Sequence, residues 1–227
     1  MENGMRHNGS GVAKTSMVVL IGLLAGGCEG QKFAYDGETL WERFPLDGDR
    51  LWEYVNEDSS VEFSMAVEKT TEGLTDGKTI ATLTYTAIDS EGGQTLLHEI
   101  DWSSDADDGI EIWRWTDFTA DAAGTTTEYS PPVLVAARQM NSGDTITTAT
   151  SAGTFTTQYL GLQDCPNNWS NDTWECARLT LSSDVGGEPF TGEYWIAMSY
   201  GVSWMAPTEV GGKWVLSNAV FDGNGGE

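Results

Sequence analysis

Positive charge is what this chain has least of. Eleven Lys and Arg stand against 35 Asp and Glu, a net charge of −24 over 227 residues. A field of that sign repels nucleic-acid phosphates and anionic lipid head groups, so no nucleic-acid partner is expected. Its plainest reading is a solvated surface. Histidine is scarce as well: His7 and His98 are the two in the chain, too few for a histidine-based metal centre. Neither G-x-S-x-G nor H-E-x-x-H occurs, which removes the commonest serine-hydrolase and zinc-protease signatures and leaves no catalytic residue to name. No apolar run is long enough to cross a bilayer as a helix. Helix-period patterning is almost missing too, with Val133 to Met140 the one short candidate.

The stretch MVVLIGLLAGGC, Met17 to Cys28, decides the compartment. Arg6 and Lys14 supply a positive leader and Thr15 to Leu24 a short apolar core. Ala25, Gly26 and Gly27 are the small residues a signal peptidase needs. Gly26 and Gly27 also weigh against a helix that persists after export. An apolar run ending in small residues and then Cys28 resembles the lipobox of bacterial lipoproteins. That resemblance implies that the Cys28 thiol takes a diacylglyceryl group, carries acyl chains such as palmitate and becomes the mature N-terminus. The implied site is a bacterial cell envelope, at the outer membrane on its periplasmic or surface side. Two or more acyl chains anchor a protein durably. Cleavage before Cys28 would remove Glu2, Arg6 and Lys14 and move the net charge to −25.

Of the three cysteines, Cys165 and Cys176 then remain as a pair in an oxidising compartment, and an even pair there reads as a disulfide. The turn-rich PNNWSNDTWE lies between them, so the bridge is expected to close a loop between two strands. Asn168 and Asn171 open two glycosylation sequons, read here as turn residues.

Domain organisation follows from composition along the chain. Residues 1–27 are the expected signal peptide, 28–43 a tether without clear period, and 44–223 a single all-β domain. Within it, short alternating runs recur between turn signals. Examples are Leu51 to Val55, Val61 to Val67, Ile80 to Ile88, Leu96 to Trp102 and Ile110 to Trp115. Ser130-Pro131-Pro132 is expected to end the run from Thr125. The Thr-rich stretch Asp144 to Tyr159 breaks at Ala152-Gly153 in hairpin fashion, and Cys176 to Ser182, Tyr194 to Met198, Val202 to Met205 and Lys213 to Phe221 follow. About a dozen short strands with at most one short helix predict an antiparallel meander curled into a barrel or sandwich.

Two passages add a resemblance. Pro45-Leu46 with Trp52-Glu53-Tyr54 is similar to the P-L-x-x-G-x-x-W-x-Y opening of a broad group of uncharacterised bacterial lipoproteins with an all-β domain, the glycine being displaced to Gly48. Trp195-Ile196-Ala197 with Tyr200-Gly201-Val202 resembles their closing W-Y-A-x-G-x-G segment, with Ile196 for Tyr and Ser203 for the last Gly. The resemblance implies a meandering antiparallel fold and carries over no catalytic residue.

Ten tryptophans are the remaining signal. Trp102, Trp113 and Trp115 are candidates for a sugar-stacking or lipid-binding surface, weighed against packing, which large aromatics in β folds more often serve. On Ile110 to Trp115 both faces carry large apolar groups, so either both are covered or one lines a groove. The acidic turn Asp105, Asp107 and Asp108 lacks the spacing of a calcium loop and reads as a solvated turn, so no metal or other cofactor is expected. The expectation is a lipid-anchored structural or binding module, not an enzyme, with a membrane partner through its anchor and an envelope protein, glycan or lipid as a further partner. A carrier of a hydrophobic ligand and a glycan-active enzyme are the alternatives.

Overall fold

In the computed structural model the chain divides into Met1–Asp36 and a compact unit, Gly37–Glu227. The structure describes residues 39–57, 63–166, 174–208 and 211–221. Cys28, with the rest of the signal stretch and most of the expected tether, lies outside the described residues, as do both sequon asparagines.

Twelve antiparallel strands form one sheet that curls into a nearly closed barrel. In chain order they are β1 (Arg50–Asn56), β2 (Phe63–Thr75), β3 (Lys78–Asp89), β4 (Gln94–Asp105), β5 (Gly109–Asp117) and β6 (Thr125–Ala136). The second half holds β7 (Thr145–Ala149), β8 (Thr154–Asp164), β9 (Glu175–Ser183), β10 (Gly192–Ala197), β11 (Gly201–Pro207) and β12 (Trp214–Phe221). Each strand pairs with its neighbour in sequence except β6 with β7, and β1 also pairs with β12 from Arg50↔Phe221 to Asn56↔Trp214. The sheet therefore ends at β6 and β7, which the curl brings together.

Alternation builds the interior. Trp52 and Tyr54 of β1, Met65 and Val67 of β2, Leu83 of β3 and Ile100 of β4 point inward, as do Phe155 and Tyr159 of β8 and Trp214 and Leu216 of β12. The intervening residues face out, the period-2 pattern of a half-buried sheet.

The seam between β6 and β7 is not an ordinary ladder. Pro131 and Pro132 bring no N–H to β6, and Ser130-Pro131 is cis. Hydroxyls take over: Ser151 Oγ donates to the Glu128 carbonyl (3.2 Å), Thr157 Oγ1 donates to the Leu134 carbonyl (3.2 Å), and the Leu134 N–H donates to Thr148 Oγ1 (3.3 Å). One backbone bond, from the Ser151 N–H to the Ser130 carbonyl (2.9 Å), joins them.

Two expectations are corrected here. Val133 to Met140 is not a helix: Val133–Ala136 is the end of β6, paired with β5 at Ile112↔Val133 and Ile110↔Ala136. Alternation of Val133 and Val135 into the core outweighs the weak helical period of eight residues. Nor do the two prolines end the strand at Ser130; β6 runs through them because they sit on an edge where missing donors cost little.

Thr39 opens the described chain, and Leu40–Arg43 forms a 3-10 turn. Leu40 is 0% exposed and joins Phe44 and Leu46 in the core, while Arg43 Nη1 donates to the Glu175 carbonyl (3.1 Å). Leu40 and Arg43 fall within the span expected as tether, yet they are packed into the barrel. Because strands alternate in direction, this entry end also carries the turns after β2, β4 and β8, and the connections after β3, β5, β7 and β9 lie at the far end.

Candidate functional site

The three candidate tryptophans are not brought into one surface. Trp102, on β4, is buried against Phe44 with ring centroids 5.0 Å apart, near the entry end. Trp113 is the extra residue of a bulge: β4 pairs Trp102↔Ile112 and then Asp101↔Arg114, and β5 skips it again against β6. That bulge reverses the alternation, so Trp115 returns to the inner face with Ile110 and Ile112 while Trp113 stays outside. There the Trp113 indole donates to Ser103 Oγ (3.0 Å), and Lys78 Nζ lies 5.5 Å from its ring centroid.

The outer wall around Trp113 is a closed polar network. Lys78 Nζ contacts Glu111 Oε2 at 2.5 Å and Asp108 Oδ2 at 2.8 Å, and Ser103 Oγ donates to the same Glu111 oxygen (3.1 Å). Burial alone would lower the Lys78 pKa, but its two carboxylates reverse that and raise it. Asp105 is used within its own turn, its Oδ1 accepting the Asp107 and Asp108 N–H groups at 2.8 Å. Among the described residues no group of acidic, histidine or cysteine side chains is placed to hold a metal ion.

Cys165 and Cys176 are joined in a disulfide. Its sulfurs pack on the outside of β9 and β10 with Ala197, Trp174, Trp195 and Tyr200, a small second core.

The far half of the barrel interior holds a different arrangement. The connection between β9 and β10, residues 184–191, dips into the mouth and buries Glu188, Phe190 and Thr191. The Phe190 ring is 2% exposed and meets Trp115, Tyr129 and Phe155 at centroid distances of 6.3, 5.9 and 5.9 Å. The Tyr194 hydroxyl donates to its carbonyl (2.6 Å). Beneath it is a gap of about 20 Å³, lined by Met65, Tyr85, His98, Ile100, Phe190, Tyr194 and Met205 among others. A second gap of the same size lies toward the entry end, between Phe44, Trp52 and Trp102. Each has room for about one water.

Around Phe190 three groups are buried without a hydrogen bond among the described residues: His98 Nδ1, whose ring lines the gap, and Trp115 Nε1 and Tyr129 OH, whose rings pack on Phe190. An unmade bond of this kind costs roughly 1–3 kcal/mol, so three around one ring are uncommon. Burial lowers the His98 pKa, and Asp117, with Oδ1 3.5 Å from Nδ1, offsets that only in part. Burial raises the Tyr129 pKa, and the nearby Glu188 carboxylate raises it further. Sequence reasoning named neither Tyr129 nor Phe190 as a site residue. The signal was Gly186-Gly187 before a large aromatic, which reads as a strand entry because an inward-turned loop has no period of its own.

No family model matches the chain, and no curated protein matches it. Two solved structures do. One is a candidate lipoprotein from Parabacteroides distasonis ATCC 8503, 11% identical with a TM-score of 0.40. The other is a candidate exported protein with a YmcC-like fold from Bacteroides fragilis NCTC 9343, 12% identical with a TM-score of 0.38. Each match covers 78% of this chain and 98% of the other.

Proposed function

We propose that the protein is a lipid-anchored component of a bacterial cell envelope, held at the outer membrane through acyl chains on Cys28, and that its barrel is a binding or structural module and not a catalyst. The observation that carries the anchor is the Met17 to Cys28 stretch, where an apolar core too short to span ends in small residues and a cysteine. The barrel supports the second half. Its two interior gaps are water-sized, its larger clefts are open to the surface, and several of its carboxylates are engaged in the fold: Asp47 with Arg50 (2.7 Å), Asp101 with Arg114 (2.8 Å), Glu193 with Arg178 (2.9 Å). The Arg50 guanidinium beside Asp47 holds that carboxyl below its usual range.

Growth of the full-length protein with radiolabelled palmitate tests the anchor. Label is expected in the wild type and in the membrane fraction, with none in Cys28→Ser. Absence of label from the wild type, or equal label in the variant, refutes anchorage through this residue.

A further inference from the structure

Phe190 closes the far mouth of the barrel with a side chain, where a strand or helix would close it with backbone. Its loop leaves β9 through Gly186 and Gly187, with φ of 78° and 91°, values that side-chain-bearing residues rarely adopt. The loop is then tied at its other end, where the Thr208 N–H donates to the Thr191 carbonyl (2.8 Å). Between those points Phe190 itself is held by ring packing and by the bond from Tyr194 OH to its carbonyl. Against the ring stand two polar atoms without a hydrogen bond among the described residues, Trp115 Nε1 and Tyr129 OH, and the Tyr129 side chain is more than nine-tenths buried, at 4% exposure. Native interiors rarely leave such groups unpaired unless something else pairs with them.

We propose that Phe190 is a plug over a ligand site in the far half of the barrel, and that the ligand is an uncharged, oxygen-bearing amphiphile such as an acyl ester or a long-chain alcohol. Its oxygen accepts from Tyr129 OH and Trp115 Nε1, and its chain takes the volume of the Phe190 ring together with the gap beneath. A cavity the size of one large side chain is enough to take up a small apolar molecule. The head is uncharged because two carboxylates already flank the site: Glu188, 4% exposed, beside Tyr129, and Asp117, 3.5 Å from His98. A third negative charge at that depth would be repelled at low dielectric. This site belongs to the binding half of the function proposed above and is independent of the anchor.

Titration of the full chain with 1-octanol, octanoate and n-octane, read by tryptophan fluorescence and calorimetry at pH 8, tests the site. Phe190→Ala, with no plug to displace, is expected to bind 1-octanol at least about tenfold tighter than wild type, and octanoate more weakly than 1-octanol. Adding Tyr129→Phe should weaken 1-octanol by roughly five- to tenfold, the worth of one hydrogen bond, and leave n-octane unchanged. Should Phe190→Ala not fold, Tyr194→Phe, which removes only the bond to the Phe190 carbonyl, is expected to raise wild-type affinity for 1-octanol. Equal 1-octanol binding by wild type and whichever of these variants folds overturns the plug. Tighter octanoate than 1-octanol, or no effect of Tyr129→Phe, overturns the ligand class. Cys28→Ser should bind 1-octanol as wild type does, so failure of the anchor and failure of this site are read separately.

Discussion

Leu40→Ala separates two descriptions of how the folded part begins. If the chain up to Arg43 were a tether, Leu40 would stand in water and its truncation would fall within about 0.5 kcal/mol of neutral. The structure instead gives Leu40 no exposed surface and places it in the core with Phe44 and Leu46, held by the 3-10 turn whose Trp41 carbonyl accepts from Ser104 Oγ (2.9 Å). Truncating a fully buried leucine removes its transfer free energy and leaves a cavity, together about 2.7–5 kcal/mol. For a domain of this size each kcal/mol lowers Tm by roughly 2–4 °C, so a drop of roughly 5–20 °C is expected. Thermal melts read the drop in Tm and urea unfolding followed by tryptophan fluorescence reads the loss of free energy, with Leu74→Ala, at a residue 78% exposed, as the control expected to change little. A Leu40→Ala midpoint within error of the Leu74→Ala control would refute the packing of this segment and return residues 39–43 to the tether.

Two further outcomes follow from the same structure. Replacing Cys165 and Cys176 together by Ala should cost about 2–3 kcal/mol, from the unfolded-state freedom regained by an 11-residue loop; an unchanged urea midpoint would show that the bridge adds nothing to the fold. His98 titrates in the unfolded chain near pH 6.5 but resists protonation in the barrel, because burial outweighs the help of Asp117. The unfolded state therefore binds the proton first, and stability should fall as pH drops through 6.5. Asp117, whose own pKa is lowered, adds stability that is lost only at more acid pH, as it too is protonated. Thermal melts of His98→Phe between pH 8 and pH 5 should lack the loss of Tm seen in the wild type; an equal loss in both would assign the slope to other groups.

Much of the barrel was legible because a half-buried strand repeats every two residues. Leu51 to Val55 became β1 and the Thr-rich hairpin became β7 and β8, with the break at Ala152-Gly153 where β7 turns into β8. The cysteine pair was legible for a different reason, since two thiols flanking a turn-rich stretch in a chain expected to be exported have few other uses. The 3-10 turn at Leu40–Arg43 was not, because four residues show no period and their burial depends on where the barrel mouth falls. The far-end site was hidden for the same reason. Tyr129, Trp115, His98 and Phe190 are far apart in sequence and meet only when β4, β5, β6 and the loop after β9 share one mouth.

The bulges explain why the tryptophans misled and how the barrel closes. A strict alternation through β5 puts Trp113 and Trp115 on one face and Ile110 and Ile112 on the other, which suggests a groove on a two-sided strand. One unpaired residue at Trp113 removes the paradox, since every residue after it changes face. The same step matters to β6, whose register against β5 passes from Ile112↔Val133 to Arg114↔Glu128 across the two prolines. Tyr129 lies in that unpaired stretch, buried against Phe155 and Phe190. At the seam the hydroxyls of Thr148, Ser151 and Thr157 bond the backbone of Glu128 and Leu134 on either side of the prolines, in place of a regular ladder. Irregular backbone at a sheet edge thus places inside the barrel mouth a phenol that has no hydrogen bond among the described residues.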